Sequence, residues 1–162
     1  WTGTDHTGVA VADGIYRLFV SVSTGSGTPQ TTDGPGLILR RSDPNEPLIG
    51  LLAPAAVTKI GPGQTVLISW RDNDPTGGAK IHLVVADSSN PADHESDTAI
   101  LSDRSAAQGG VGDTFSWQVP LNSGLTPSIP YYVIAYIANA DGALKSNSVA
   151  AGWLVLNDPN AP

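Results

Sequence analysis

The chain has 162 residues, 40% of them hydrophobic, with 8 basic and 15 acidic side chains and neither Cys nor Met. A net charge of −7 with this hydrophobic content excludes disorder by composition and disfavours nucleic acid as a partner. The absence of Cys excludes disulfides, thiolate nucleophiles and zinc or iron–sulfur sites built on Cys. No membrane span is predicted, because no apolar run is long enough, and the absence of an initiator Met predicts a processed or cropped chain.

The chain contains short segments in which residues on one face are apolar and residues on the other face are polar or mixed, and it shows no helical periodicity. Residues 64–70 place Val66, Ile68 and Trp70 on one face, and residues 81–86 and 115–119 alternate in the same way. Clusters of Gly, Pro, Asn and Asp separate these segments. About seven such strands in roughly 110 residues predict an antiparallel β-sandwich of the immunoglobulin (Ig) or fibronectin III type.

Some of the predicted strands are apolar on both faces. Trp70 and Trp117 belong to inward faces, so we expect them in the core rather than exposed for sugar binding. Residues 131–137 and 153–156 have no polar face, and strands of this kind need a second cover. We expect that cover from another subunit or from the N-terminal strands.

The sequence contains an internal repeat. At a spacing of 116 residues Trp1 falls on Trp117 and Tyr16 on Tyr132, and the further matches are Leu18 with Ile134, Val20 with Tyr136, and Gly36 with Gly152. The Asp-Pro-Asn-x-Pro element at residues 43–47 recurs at residues 158–162, at a spacing of 115 residues instead of 116. Its prolines make it a stiff boundary. Residues 48–162 therefore form one complete predicted repeat, and residues 1–47 the last third of another.

The incomplete repeat predicts assembly. Its strands, about 15–23 and 36–41, cannot bury a core alone, so another segment or subunit must complete them. The alternative is plain tandem duplication of a secreted module, with no role in assembly. The candidate assembly residues are Tyr16, Leu18, Val20, Leu37, Leu39, Tyr131 and Trp153.

The first 16 residues carry the pattern W-x-G-x-D-x-x-G-x-x-V-x-x-G-x-Y, from Trp1 to Tyr16. This segment resembles Ig-like domains of bacterial surface proteins and is similar to the Ig-like domain of flagellar hook-capping proteins. Residues 64–156 more loosely resemble fibronectin-like modules of large secreted bacterial and archaeal proteins. The resemblance implies a β-sandwich and an extracellular setting, but modules of this kind serve scaffolding, adhesion and filament building alike.

An acidic loop is the candidate metal site. Asp72, Asp74 and Thr76 alternate before Gly77, as in the first half of an EF-hand calcium loop. Leu83 then stands where the bidentate Glu of that loop belongs, and Asp87 could contribute only if the strands brought it back. Calcium bound by Asp72, Asp74 and Asp87 is one interpretation, and a plain Asp/Pro/Gly turn is the other.

Enzymatic motifs are absent from the sequence. It has no G-x-S-x-G elbow, no P-loop and no paired His spacing typical of zinc. His94 lies between Asp93 and Glu95, and a solvated loop explains this cluster, since adjacent residues rarely converge on one point. A hydrolase would need a polar pocket that contains His82 or His94 near a carboxylate.

We therefore predict a non-enzymatic structural subunit of an extracellular filament, tube or surface array, with copies of itself as partners and no cofactor unless calcium binds. The alternative is a carbohydrate-binding or other ligand-binding module of a larger secreted protein. That alternative predicts solvent-exposed aromatic side chains in a row on one face or at loop tips.

Overall fold

The computed structural model of the chain describes residues 2–22, 30–39, 43–93, 97–110 and 112–157. Several residues used in the sequence predictions lie outside these ranges: Trp1, Ser23, Arg40, Arg41, His94, Glu95 and residues 158–162. All of the regular secondary structure in the described part consists of β-strands, which confirms the all-β prediction. None of the described residues form a helix long and apolar enough to cross a membrane.

Ten strands follow one another and are numbered in chain order. The first two are β1 (Gly14–Val22) and β2 (Gln30–Leu39). The others are β3 (Leu48–Ala53), β4 (Thr58–Ile60), β5 (Thr65–Asn73), β6 (Lys80–Ala86), β7 (Thr98–Ser105), β8 (Gly112–Gln118), β9 (Pro130–Ala138) and β10 (Leu144–Leu156).

The chain divides into two compact units, the N-terminal unit Trp1–Pro44 and the C-terminal unit Asn45–Pro162. The boundary between them lies within the proline-rich element at residues 43–47, whereas the sequence prediction placed it just after that element. β1 and β2 belong to the N-terminal unit, and the other eight strands belong to the C-terminal unit.

The C-terminal unit is a sandwich of two sheets. One sheet has the order β4-β10-β9-β6-β7 and the other the order β3-β5-β8. All pairs are antiparallel except β4 with β10, which run parallel over three residues. This unit has one strand more than the roughly seven predicted, and β4 is too short to show an alternating pattern.

Side-chain alternation positions the core between the two sheets. Val66, Ile68 and Trp70 of β5 point inward as predicted, and the last two are fully buried. The largest fully buried side chains of this core are Ile49, Ile60, Ile68, Trp70, Ile81, Leu83, Val85, Val119, Val133, Ile137 and Leu154. Burial of each contributes about 1.5–3 kcal/mol relative to its exposure, which explains how a chain without disulfides holds this fold.

Strands β3 and β10 close one side of the sandwich. The Leu51 N–H of β3 donates to Ser148 Oγ of β10 at 2.9 Å. After β3 the chain crosses β10 at Gly152, whose N–H donates to the Pro54 carbonyl at 3.0 Å. A Cβ atom at Gly152 would lie only 2.2 Å from the Ala56 carbonyl oxygen, so only glycine fits beneath this crossing.

The N-terminal unit begins with a turn built on Asp5. Its Oδ1 accepts hydrogen bonds from the Thr7 hydroxyl at 2.7 Å and from the N–H groups of Thr7 and Val9 at 2.9 Å each. These bonds, that from the Thr7 hydroxyl first among them, hold the pKa of Asp5 below its usual value. Gly8 provides the positive φ of 84° that the turn requires.

Candidate functional site

The β1–β2 hairpin of the N-terminal unit repeats the β9–β10 hairpin of the C-terminal unit. The first and last residues of β9 lie 116 positions after those of β1. The cross-strand pairs shift by the same amount, because Gly14↔Leu39 corresponds to Pro130↔Val155 and Tyr16↔Leu37 to Tyr132↔Trp153. Both hairpins also have a register irregularity beyond these pairs. Beyond the irregularity the two registers differ by one residue, because Phe19 pairs with Asp33 whereas its counterpart Ala135 pairs with Ser148. The repeat seen in the sequence thus corresponds to two hairpins that begin in the same register.

The two hairpins differ in what surrounds them. In the C-terminal unit β6 pairs along β9 from Tyr132 to Ala138, and β4 pairs with β10. Among the described residues of the N-terminal unit, the sheet contains β1 and β2 alone. A hairpin that is central to a five-stranded sheet in one unit therefore forms a two-stranded sheet in the other. A two-stranded sheet is marginally stable at best in water.

A tyrosine marks the entry to each hairpin. The Tyr16 hydroxyl donates to the carbonyl of Ala12, four residues earlier, as in the tyrosine corner of Ig-like sandwiches. Near the start of β9 the Tyr131 hydroxyl accepts a hydrogen bond from the Thr126 N–H at 2.7 Å. Tyr131 corresponds to Ile15, because the counterpart of Tyr16 is Tyr132, so the two hydrogen bonds are not equivalent.

The candidate assembly residues have different environments. Tyr16 and Leu39 are half-buried, and the side chains of Leu18, Val20 and Leu37 lie outside the described part of the structure. Trp153 is 37% exposed on the outer face of its sheet, where its ring lies 6.3 Å from that of Tyr132.

Tyr131 requires a correction. It is only 7% exposed and belongs to the core of the C-terminal unit. It also binds the backbone of its own chain through the Thr126 N–H. The folded unit therefore does not present Tyr131 to a second subunit.

The chain itself supplies part of the cover predicted for the two-sided strand β9. The Tyr136 hydroxyl donates to the Pro91 carbonyl in the loop between β6 and β7, at 3.1 Å. Tyr136 and its neighbour Ile134 form a second buried cluster on this outer face. Burial, with a smaller contribution from Asp97, raises the pKa of Tyr136 to about 12. The loop, rather than a partner, covers this part of the sheet.

A shallow cavity of about 320 Å³ opens on the same outer face. His82 and Asp97 line it together with Val84, Tyr136 and Leu144. A His and a carboxylate thus lie in one cavity, as a hydrolase would require. However, none of these described lining residues is a Ser, Thr or Cys that could act as a nucleophile.

Asp72 and Asp74 are both buried at one end of the sandwich, with exposures of 1% and 0%. Asp72 accepts from Trp70 Nε1 at 2.9 Å and from the Ala107 N–H at 2.8 Å. Asp74 accepts from the Ala79 N–H at 2.8 Å, and its own N–H donates to the Ala107 carbonyl. The two carboxylates therefore hold two loops against the end of β5.

Burial raises the pKa of Asp72, although the hydrogen bonds from Ala107 and Trp70 oppose this shift. These hydrogen bonds therefore offset only part of the desolvation cost of the ionised form. The sequence contains a signal for this role that is separate from the spacing of the acidic loop. Inward alternation through Val66, Ile68 and Trp70 continues to Asp72, which places a carboxylate at an interior position.

The structure does not bring together the three predicted calcium ligands. Asp87 follows β6, whereas Asp74 binds the residue that precedes β6, so a strand of seven residues, about 23 Å long, separates them. Within the described ranges, no group of three or more His, Cys, Asp or Glu side chains could hold a metal ion. Calcium binding stays a prediction, and unfolding measured with calcium and with a chelator tests it. An unfolding temperature indifferent to both contradicts it.

The chain was compared with protein families, curated proteins and solved structures. No family model and no curated protein matches it. The fibronectin(III)-like modules of CbhA from Clostridium thermocellum are similar in structure, with 11% sequence identity, 68% of this chain and all of that chain covered, and a TM-score of 0.41. The strand order and register of the chain itself define the β-sandwich.

Proposed function

We propose that the chain is a non-catalytic structural subunit of an extracellular filament, tube or surface array, assembled through strand and sheet contacts between Ig-like domains. The observation that carries the proposal is the correspondence of the two hairpins. From Gly14 to Tyr16, β1 pairs with β2 in the register of strands that lie inside a five-stranded sheet, yet β1 and β2 form a sheet of two among the described residues.

The energetics of strand edges support completion of the N-terminal hairpin by another copy. The outer edges of a two-stranded sheet present backbone donors and acceptors that pair readily with a further strand. The donor and the acceptor of such a contact are different surfaces of the chain, so the contact is heterologous. Heterologous contacts that do not close into rings generate fibres.

Composition supports the extracellular setting. The fold contains no Cys and is held by apolar packing, and a net charge of −7 favours solubility of a module at high concentration.

The test removes one edge donor from the hairpin. The Asn139 N–H points toward β10, because it donates to the Ala143 carbonyl, so alternation turns the Ile134 N–H toward β6. Leu18 corresponds to Ile134 and lies at the register irregularity between Arg17 and Phe19, and from this correspondence we expect its N–H to face the outer edge of β1. Leu18→Pro removes this N–H but does not remove the hydrogen bonds between β1 and β2. Leu18→Ala keeps the N–H and is the matched control.

We expect the unmodified chain and Leu18→Ala to form concentration-dependent oligomers in sedimentation velocity and extended particles in negative-stain microscopy. Leu18→Pro should remain monomeric under the same conditions. Discrete monomers of the unmodified chain at high concentration contradict the proposal.

A carbohydrate-binding module is the second candidate, and the exposed ring of Trp153 beside Tyr132 favours it. Sugars stack on exposed aromatic faces, but these two rings are tilted by 48° and do not form one flat platform. A glycan panel probed with the chain and with Trp153→Ala tests this function. Binding that is lost in the variant supports it, and the absence of any bound glycan excludes it for the panel used.

A further inference from the structure

The C-terminal unit has four strands at sheet edges, and they differ in how well they could accept another strand. β3 is covered, because it lies against β10 and donates to Ser148. β4 is only three residues long. Short or covered edges are poor acceptors. β7 and β8 therefore remain.

β7 has the features of a protected edge. Its register with β6 is irregular at two places, between Ile81 and Leu83 and between Leu83 and Val84. Asp103 within β7 adopts a φ of 58°, which is unusual for a residue other than glycine. Bulges, backbone irregularity and charged side chains at an edge oppose the addition of a strand.

β8 is more regular than β7, and its one charged side chain, that of Asp113, is paired with Arg104 of the same chain at 2.6 Å. It pairs with β5 without a shift over seven residues, from Gly112 to Gln118, and contains neither Pro nor Lys. The Val119 N–H donates to the Gln64 carbonyl, and the Val119 carbonyl accepts from the Gly63 N–H. Alternation therefore turns the backbone groups of Ser116 and Gln118 away from β5, toward the outer edge of the sheet.

We infer that β8 of one copy accepts β1 of a second copy, so that the N-terminal hairpin extends the three-stranded sheet of its neighbour. This inference rests on the proposed function and names the contact through which assembly occurs. The two segments match in length, since residues 16–22 correspond to the part of β9 that β6 covers and β8 also has seven residues.

Stoichiometry favours this edge over an exchange of β4 or β6 between copies. Each chain carries two equivalent hairpins but one β4 and one β6, and both of these strands already pair with the β9–β10 hairpin. Copies that exchanged β4 or β6 would leave half of the hairpins without a partner. One hairpin and one β8 edge per chain give a one-to-one contact, which propagates from copy to copy.

Two measurements on the full chain test the inference. The first compares Ser116→Pro, which removes an N–H at the outer edge of β8, with Ser116→Ala, which keeps it. We expect Ser116→Pro to weaken association at least about tenfold in sedimentation velocity, and Ser116→Ala to associate like the unmodified chain. A circular dichroism melt confirms that Ser116→Pro remains folded. Oligomers that persist in folded Ser116→Pro overturn the β8 contact but leave the proposed function standing.

The second measurement places a photoreactive benzoylphenylalanine at Val22, which is 59% exposed at the end of β1. Intermolecular crosslinks should map by mass spectrometry to the peptide that contains β8. Crosslinks confined to the peptide of β7 overturn the inference. A chain that neither oligomerises nor crosslinks contradicts the proposed function as well, so the two failures are distinguishable.

Discussion

The β1–β2 and β9–β10 hairpins begin in the same register, and β1 and β9 have matching bounds, but the two hairpins differ in their surroundings. β9 lies between β6 and β10, and its residues from Val133 to Ile137 are all buried. The β1–β2 sheet of the described N-terminal unit has two strands. The difference shows that a repeated sequence forms a similar hairpin even where the neighbouring strands differ.

The largest effect on stability is expected at the glycine position that the two hairpins share, Gly36 in β2 and Gly152 in β10. Gly152→Ala places a Cβ atom within 2.5 Å of three backbone atoms of Ala56, so we expect a loss of at least about 3 kcal/mol or failure to fold. Gly36→Ala is the matched change in β2. In dilute monomer it should cost much less than Gly152→Ala.

Chemical denaturation measures both glycine variants. Near-native stability of Gly152→Ala contradicts the crossing at Ala56. A cost for Gly36→Ala that appears only in assembled material would indicate that a partner segment crosses β2 as residues 54–56 cross β10.

Asp72 gives the next largest effect, because it tests what closes the end of the C-terminal unit. Asp72→Ala leaves the Trp70 Nε1–H and the Ala107 N–H without their acceptor, at a cost of about 2–4 kcal/mol in unfolding free energy. The exposed Asp93→Ala is the control and should change stability by less than about 0.5 kcal/mol. Equal effects in the two variants contradict a structural role for Asp72.

Tyr136 tests the intramolecular cover of β9. Tyr136→Phe removes the hydrogen bond to Pro91 and should cost about 1 kcal/mol at neutral pH. The pKa of Tyr136 is raised from 10.0 to about 12, so the folded state holds the phenol proton more tightly than the unfolded state. The resulting stabilisation is complete below pH 10 and is lost as the pH rises toward 12, by about 2 kcal/mol. Denaturation between pH 9 and 12 should therefore show a steeper loss in the unmodified chain than in Tyr136→Phe. Parallel profiles contradict this explanation.

The smallest effect is expected at Asp5, in the turn before β1. Asp5→Ala should speed hydrogen exchange of the Thr7 and Val9 amides and leave the C-terminal unit unchanged. Because the pKa of Asp5 is lowered, the turn should also loosen as the pH falls below the usual value of 3.8 and through the folded-state pKa. Amides that exchange equally in both chains contradict the role of Asp5.

The sequence predicted the all-β fold because alternation marks inward residues such as Val66 and Ile68 wherever a strand is long and amphipathic. β4 was missed, since three residues carry no period. The repeat predicted the equivalence of the hairpins through matches such as Tyr16 with Tyr132. By contrast, alternation cannot show which loop covers an apolar face, so the cover that Pro91 provides to Tyr136 emerged only in three dimensions.

For a related reason, the sequence could not show that Asp87 lies apart from Asp72 and Asp74, the other two residues of the calcium prediction. Local spacing places Asp72 and Asp74 near each other, but the direction of β6 decides where Asp87 lies. The sequence also contains a signal for the close backbone contact at Gly152, which the sequence analysis did not interpret in this way. A glycine within an apolar strand indicates close approach of another backbone, here that of Ala56.

Amide hydrogen exchange of the full chain as a function of concentration tests the central claim most directly. Completion of the N-terminal hairpin by another copy predicts that protection of the Leu18 amide rises with concentration, while protection of the equivalent Ile134 amide stays constant. A Leu18 amide whose protection is the same at the lowest and the highest concentration contradicts the account.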